Sequence, residues 1–281
     1  MTQARAASPE AFDVPCKDGL SIRGEVYRPV KPIGSVIICH GFKGYAHWAF
    51  FPYLAQSLAE TGLTAITFDF SGSGIGADRE TFTDAEAFAT NTFSREQEDL
   101  EVLVDYLRRR KIITPRFGLF GHSRGGATAI VYTAATDSDV NALVTWAAIS
   151  YVNRWTDEEA VVWRRRGYAD ITNSRTGQVM RLGTDLLDDV ELHLKTKLNI
   201  EAAAAKVKVP WLIVHGTGDE TVPGSEGERL HAASPGQSTL RLIERASHSF
   251  DAKHPLSAIP KNLETAVRET VTFFVRNSAV A

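Results

Sequence analysis

Short, continuously apolar runs rich in β-branched and aromatic residues recur along this chain: Ser35–Cys39 (SVIIC), Thr64–Phe68 (TAITF), Phe117–Phe120 (FGLF), Leu143–Ala147 (LVTWA) and Trp211–His215 (WLIVH), with Thr239–Ile243 as a more polar last member. A strand with one wet face alternates apolar and polar residues, whereas one that is apolar at every position is covered on both faces. Longer amphipathic stretches separate the runs. Trp48–Glu60 reads as a helix stopped by Gly62, and Phe93–Arg110 carries Phe93, Leu100, Leu103, Val104 and Leu107 at helical spacing. The run Arg108–Lys111 suits the negative end of that helix and reads as a solvated terminus. A final helix is expected from about Ile259 to Asn277. This alternation predicts an α/β fold: a mostly parallel central sheet with helices on both faces. Leu20–Tyr27 alternates instead, as a half-exposed antiparallel strand does.

Composition removes several function classes. Of the 281 residues, 43% are hydrophobic and 23% charged, as in an ordinary globular chain. The net charge of −3 offers no basic excess for nucleic acid or anionic lipid. Two cysteines, Cys16 and Cys39, make no disulfide scaffold and fit a reducing, cytoplasmic setting. No run approaches the roughly 18 apolar residues of a membrane span. The start, MTQARAASPEAF, lacks the apolar core of a secretory signal. No paired His or Cys has metal-ligand spacing, so neither metal nor cofactor is expected. A monomer or homodimer acting on a small molecule is the expectation.

Gly121-His122-Ser123-Arg124-Gly125-Gly126 directly follows the run RFGLF and precedes the helix-like ATAIVYTAA. A lone Gly-x-Ser-x-Gly is weak, but strand–turn–helix placement is what a nucleophile elbow requires. The serine would sit on a strained turn with its hydroxyl above the carboxyl edge of the sheet. The bland alternative is a capping serine in a Gly-rich turn.

A serine hydroxyl needs a base. Of the eight histidines, His248 lies in Ala246–Phe250 (ASHSF), just past the last strand, and loops leaving parallel strands gather at the edge that carries Ser123. His254, before Pro255, is the rival. The imidazole in turn needs an acceptor that holds its tautomer. Asp219, within His215–Pro223 (HGTGDETVP), follows another strand; Glu220 is the confounder, and an Asx-type turn is the bland alternative. His40-Gly41-Phe42 follows SVIIC, so the backbone N–H groups of Phe42 and Arg124 are candidates for an oxyanion hole. His40 itself reads as a turn-stabilising histidine.

Tyr151–Ala205 breaks the strand–helix rhythm, with Arg-rich and Asp-rich pieces and a turn-like Arg175-Thr176-Gly177. Its length predicts an inserted cap with structure of its own. Tyr151, Trp155, Trp163 and Tyr168 either line a substrate pocket or form the cap's core, and Arg164–Arg166 reads as a solvated face.

Assembled, HGFKG (40–44), FDFSGSG (68–74), GHSRGG (121–126), HGTGDETVP (215–223) and ASHSF (246–250) occur in an order that resembles the α/β-hydrolase superfamily over nearly the whole chain. Within it the chain is similar to small bacterial esterases related to dienelactone hydrolases and cinnamoyl (feruloyl) esterases. The resemblance implies one α/β-hydrolase domain over 1–281 with a cap at 151–205. It implies a triad of Ser123, Asp219 and His248, an oxyanion hole from Phe42 and Arg124, and a carboxylic ester as substrate. Tyr151, Trp155 and Trp163 would then help to shape the acyl pocket. A serine peptidase or amidase, and a non-catalytic binder on the same scaffold, remain as alternatives. Gly72–Ala77 formally fits a dinucleotide fingerprint, but no clean helix pattern follows it, so a strand-exit loop is the reading.

Overall fold

The structure, a computed structural model, describes residues 8–135, 137–173 and 177–278. In chain order the elements are β1 (Glu10–Pro15), β2 (Ser21–Tyr27), β3 (Gly34–Cys39), α1 (Phe50–Glu60), β4 (Leu63–Asp69), α2 (Ala85–Ala89), α3 (Phe93–Arg109), β5 (Phe117–His122), α4 (Arg124–Thr133) and β6 (Val140–Trp146). They continue with α5 (Asp157–Arg166), β7 (Tyr168–Thr172), β8 (Val179–Gly183), α6 (Asp185–His193), α7 (Ile200–Ala204), β9 (Trp211–Gly216), α8 (Gly224–Ala233), β10 (Ser238–Ile243) and α9 (Lys261–Ser278).

The continuously apolar runs become β3, β4, β5 and β9, each buried at every position, and β6, buried at all but Asn141. The main sheet has the order β1-β2-β4-β3-β5-β6-β9-β10. Its first two pairings are antiparallel and all pairings from β4 to β10 are parallel. The alternating segment is β2, whose burial pattern also alternates over its first five residues. This is the α/β-hydrolase fold. The segment containing the fingerprint-like glycines does carry one short helix, α2, which the sequence reading passed over.

Helices α1 and α9 pack together on one face of the sheet, while α3, α4, α7 and α8 cover the other. In α3 the apolar stripe Phe93, Leu100, Leu103, Val104 and Leu107 is buried, and each such side chain contributes about 1.5–3 kcal/mol by leaving water. The helix starts where the Thr92 hydroxyl accepts the Arg95 N–H at 3.0 Å, and Arg108 and Arg109 occupy its last turn.

Two features position the site. Strand β3 lies between β4 and β5, so the chain leaves it in opposite directions on its two sides. The crevice at the carboxyl ends of strands flanking such a switch point is where open α/β sheets bind ligands. Between β6 and β9 the chain makes a long excursion. It carries α5, the antiparallel ribbon β7–β8, α6 and α7, and rejoins the main layer where α7 packs on α4 and α8. Of the turn expected at 175–177, Arg175 and Thr176 lie outside the described residues; Gly177 has φ +71°.

Candidate active site

Ser123 stands between the last residue of β5 and the first of α4 with φ 56° and ψ −121°, a conformation that costs a non-glycine residue about 1–3 kcal/mol. Its surroundings hold it there. The Ser123 N–H donates to the Trp146 carbonyl at 2.9 Å, and its own carbonyl accepts the Gly126 N–H at 3.0 Å. The flanking glycines are required by close approach: a Cβ on Gly121 would lie 2.2 Å from the Gly125 carbonyl oxygen, and one on Gly125 would lie 2.2 Å from that of His40. The sharp turn is therefore a packed junction of the β3 and β5 exits.

Gly41 completes that junction, since a Cβ there would come within 2.9 Å of the Ser123 Cβ. This brings Phe42 alongside the elbow, and Gly41, Phe42, Ser123 and Arg124 line one cavity of about 1020 Å³. His40 is buried behind them. Its Nε2 accepts the Phe70 N–H at 3.1 Å, which leaves Nδ1 to donate to the Gly41 carbonyl at 2.8 Å. Burial pushes its pKa down to about 4, so it is a neutral strut between the β3 and β4 exits.

Asp219 closes a tight turn after β9. Its Oδ1 accepts the N–H groups of Thr221 and Val222, both at 2.9 Å, and its Oδ2 accepts His248 Nδ1 at 2.8 Å. His215 Nε2 lies 3.5 Å from the same Oδ2 and donates to the Val222 carbonyl at 2.9 Å. Burial alone would raise the Asp219 pKa, but the contacts from His215 and His248 outweigh it and hold the carboxyl well below the usual range. The carboxylate is thus a permanent acceptor. In the neutral ring such an acceptor keeps the single proton on His248 Nδ1, so that the lone pair is on Nε2. Glu220, one residue on, is exposed.

His248 reaches the same cavity as Ser123. Its carbonyl accepts His122 Nε2 at 2.9 Å, and the two rings lie 4.7 Å apart. Burial, reinforced by the neighbouring His248, pushes His122 down to about 3 and keeps it neutral. The rival His254 is engaged elsewhere. Its Nδ1 accepts the Ala49 N–H at 3.0 Å and its Nε2 pairs with the Tyr45 hydroxyl at 2.9 Å.

Of the aromatic residues expected around the substrate, Trp155, Trp163 and Tyr168 line the cavity. Trp163 is also core: it is 6% exposed, donates Nε1 to the Leu182 carbonyl at 3.0 Å and meets Trp155 edge-on. Tyr151 corrects the expectation. It is 40% exposed, is not among the described residues lining the cavity, and lies under the Arg154 guanidinium at 4.7 Å. Arg154 turns that way because the buried Glu226 holds it at 2.9 Å. Arg164 pairs with Asp188 and Glu191, and Arg166 with Asp170.

The glycine loop after β4 is filled by the protein itself. A Cβ on Gly76 would fall 1.9 Å from Thr83 Oγ1, and one on Gly72 would fall 3.0 Å from Asn91 and Arg95.

A sequence model of the family described as "Serine aminopeptidase, S33" matches residues 30–173, just over half of the chain. The chain belongs to that family. This hydrolase is 27% identical over 232 residues to human "Serine hydrolase BPHL", covering 77% of the chain and 73% of the relative. It superposes on the ferulic acid complex of Est1E from Butyrivibrio proteoclasticus with a TM-score of 0.74 at 21% identity, over 95% of this chain and 99% of that one. An acylaminoacyl peptidase from Pyrococcus horikoshii shares the fold at TM-score 0.69 and 16% identity, over 99% of this chain and 43% of that one. The chain is a serine hydrolase of the α/β-hydrolase fold, and no described helix is long and apolar enough to cross a membrane.

Sequence reasoning missed the polar residues that brace the site. His122 sits inside the GHSRGG motif, and its own position was the available signal. Glu96, Asp99 and Glu226 are buried carboxylates on helices that are otherwise amphipathic, and only their placement on the apolar faces marks them.

Proposed function

We propose that this serine hydrolase cleaves a carboxylic ester through an acyl-enzyme on Ser123. The observation that carries the reading is the Asp219–His248 contact of 2.8 Å, placed on two strand-exit loops and facing the cavity that Ser123 enters from a strained elbow. His248 Nε2 takes the hydroxyl proton as Ser123 Oγ attacks the ester carbonyl carbon. The N–H groups of Phe42 and Arg124 receive the developing oxyanion, each such donor being worth about 2.7–4 kcal/mol of barrier. The imidazolium then gives its proton to the leaving alcohol oxygen. Water, deprotonated by the same Nε2, then attacks the acyl carbon; the bond from Ser123 Oγ to that carbon breaks as the imidazolium returns its proton to Oγ, and the acid is released. Asp219 remains ionised throughout and stabilises the imidazolium.

The cavity of about 1020 Å³ lies at the top of the usual range for small-molecule sites, which favours a bulky ester over an acetate. Its walls include Phe42, Phe51, Phe93, Trp48 and Trp155, so an apolar or aromatic acyl group fits them. The excursion at 151–205 acts as a cap that supplies part of this wall.

The test pairs an aryl ester with the anilide of the same acyl group. Ester turnover exceeding anilide turnover by orders of magnitude supports the reading, and comparable rates favour the peptidase alternative. A fluorophosphonate that fails to label Ser123 would indicate a binding protein.

A further inference from the structure

We infer that the side chain of Arg124 is a positioning residue for the oxyanion hole, a strut that fixes the Phe42 amide relative to the Arg124 amide; this rests on the proposed function. Arg124 follows the elbow serine, yet its side chain is buried, at 5% exposure for the residue. Its guanidinium stands 4.0 Å from the centroid of the Phe93 ring and 5.2 Å from that of Phe42. Phe42 is also stacked against Phe88, with ring centroids 5.5 Å apart. The guanidinium edge is held by Glu96, Nε to Oε1 at 2.9 Å, and by Asn91, Nη2 to Oδ1 at 2.5 Å. Glu96 is fixed in turn by the Thr128 hydroxyl at 2.9 Å, and Asn91 by donation to the Gly72 carbonyl at 3.0 Å.

One planar cation therefore joins the exits of β3, β4 and β5 with the start of α3. Stability alone gives little reason for this arrangement. Burying an ion pair costs much of what the attraction returns, and apolar replacements of similar volume are often neutral or stabilising. Geometry gives a better reason. The Lys43 backbone, with φ 58°, leaves the β3 exit in a strained turn, and the Phe42 ring is the side chain on that turn which the guanidinium grips. Oxyanion donors act only when aimed in advance at the position of the developing charge. A stacked guanidinium supplies direction as well as attraction, which a flexible ammonium does not.

The experiment compares wild type, Arg124→Met, Arg124→Lys and Glu96→Gln on one good aryl ester, with affinities for an arylboronic acid and for the product carboxylate. The expected result is a fall in kcat of about ten- to a hundredfold for Arg124→Met, short of the loss of a whole donor, with KM changed less than about threefold. Boronate affinity should fall with kcat while carboxylate affinity stays level. Arg124→Lys should recover only part of the loss, and Glu96→Gln, which loosens the grip on the guanidinium from outside the cavity, should show the same kcat pattern more weakly; these two carry the test if Arg124→Met does not fold. Unchanged kcat, or a rise in KM with kcat intact, would overturn the inference and make Arg124 a packing or substrate-contact residue. A wild type that labels with fluorophosphonate but turns over no ester would overturn the proposed function and this inference together. Wild-type turnover with indifferent Arg124 variants overturns the inference alone.

Discussion

One part of the cavity wall is formed by exit loops of β3, β5 and β9, strands buried at every position; another is formed by α5, in which Trp163 alone of ten residues is buried. The loops are locked by close contacts at glycines and by hydrogen bonds of 2.8–2.9 Å to the carboxylate of the buried Asp219. The helix is held by its capping box, by Trp163 and by surface ion pairs from Arg164, which are worth about 0–1 kcal/mol each. Under the proposed mechanism, the atoms that must meet within tenths of an ångström are thus carried by the tightly packed part of the molecule. The wall that would choose among substrates is carried by a helix whose positions, Trp163 apart, are not buried.

The sharpest way to break this comparison is at the elbow. Ser123→Ala should keep its fold and lose on the order of 10⁴–10⁶ in ester turnover, by the magnitude seen in other triads. Steady-state rates with a matched melting curve check it, and more than about a tenth of the activity surviving would remove Ser123 from the chemistry.

Next in size is the acid. Asp219→Asn exchanges a permanent acceptor for an amide that can force the wrong imidazole tautomer, and about 10⁴ in kcat is expected. Glu220→Gln, at an exposed side chain, and His254→Ala, at a side chain engaged with Tyr45 and Ala49, should cost little turnover. Greater damage from Glu220→Gln than from Asp219→Asn would reverse the assignment.

The tryptophans separate the wall from its support. Trp155→Ala, at a half-buried ring, should reorder short-chain and aromatic acyl esters by roughly ten- to two-hundredfold in relative kcat/KM. Trp163→Ala removes a buried ring and its bond to Leu182, so it should lower stability by about 3–5 kcal/mol as well. An unchanged ranking in both variants would remove these rings from the pocket wall, whatever happens to the melting temperature.

The smallest effect tests whether the rigid part has a soft point. His47 bridges Glu25 and Glu80 at 3.1 and 2.7 Å, with Arg79 also on Glu25 and reaching Asp69. Both imidazole nitrogens can donate only when the ring is charged. The bond to Glu25 raises its pKa against the opposing pull of burial, and Glu80 adds to the rise. A raised folded-state value means that this stabilisation is complete below the ordinary imidazole pKa of about 6.5 and is lost as pH climbs through the raised value. His47→Gln should therefore melt about 2–4 °C below wild type near pH 5.5, with the gap closing by pH 9. A gap that is constant with pH would mean that the ring acts through packing alone.

What could be read in the sequence follows the same division. Strands buried on both faces announce themselves, because burial demands apolar residues at every position, and the glycines of GHSRGG announce a close approach. β1 was missed because a six-residue edge strand ending in Pro15 is mostly exposed and needs no pattern. The excursion between β6 and β9 was legible as an interruption but not in its parts. β7 and β8 are five residues each and half-exposed, and α5 carries charges around most of its circumference. Tyr151 was placed in the pocket by its type, whereas its position depends on Arg154 and the distant Glu226.

The backbone at position 123 also limits which reactive groups this scaffold can ever host. With φ at 56° and the Gly41 backbone so near that a Cβ there would lie 2.9 Å from that of Ser123, the turn admits one unbranched substituent. A β-branched side chain at positive φ is a steric outlier, so threonine, chemically the nearest relative of serine, is shut out, while cysteine has the right shape. Under the proposed mechanism, a change of nucleophile at position 123 is thus filtered by sterics before reactivity is compared.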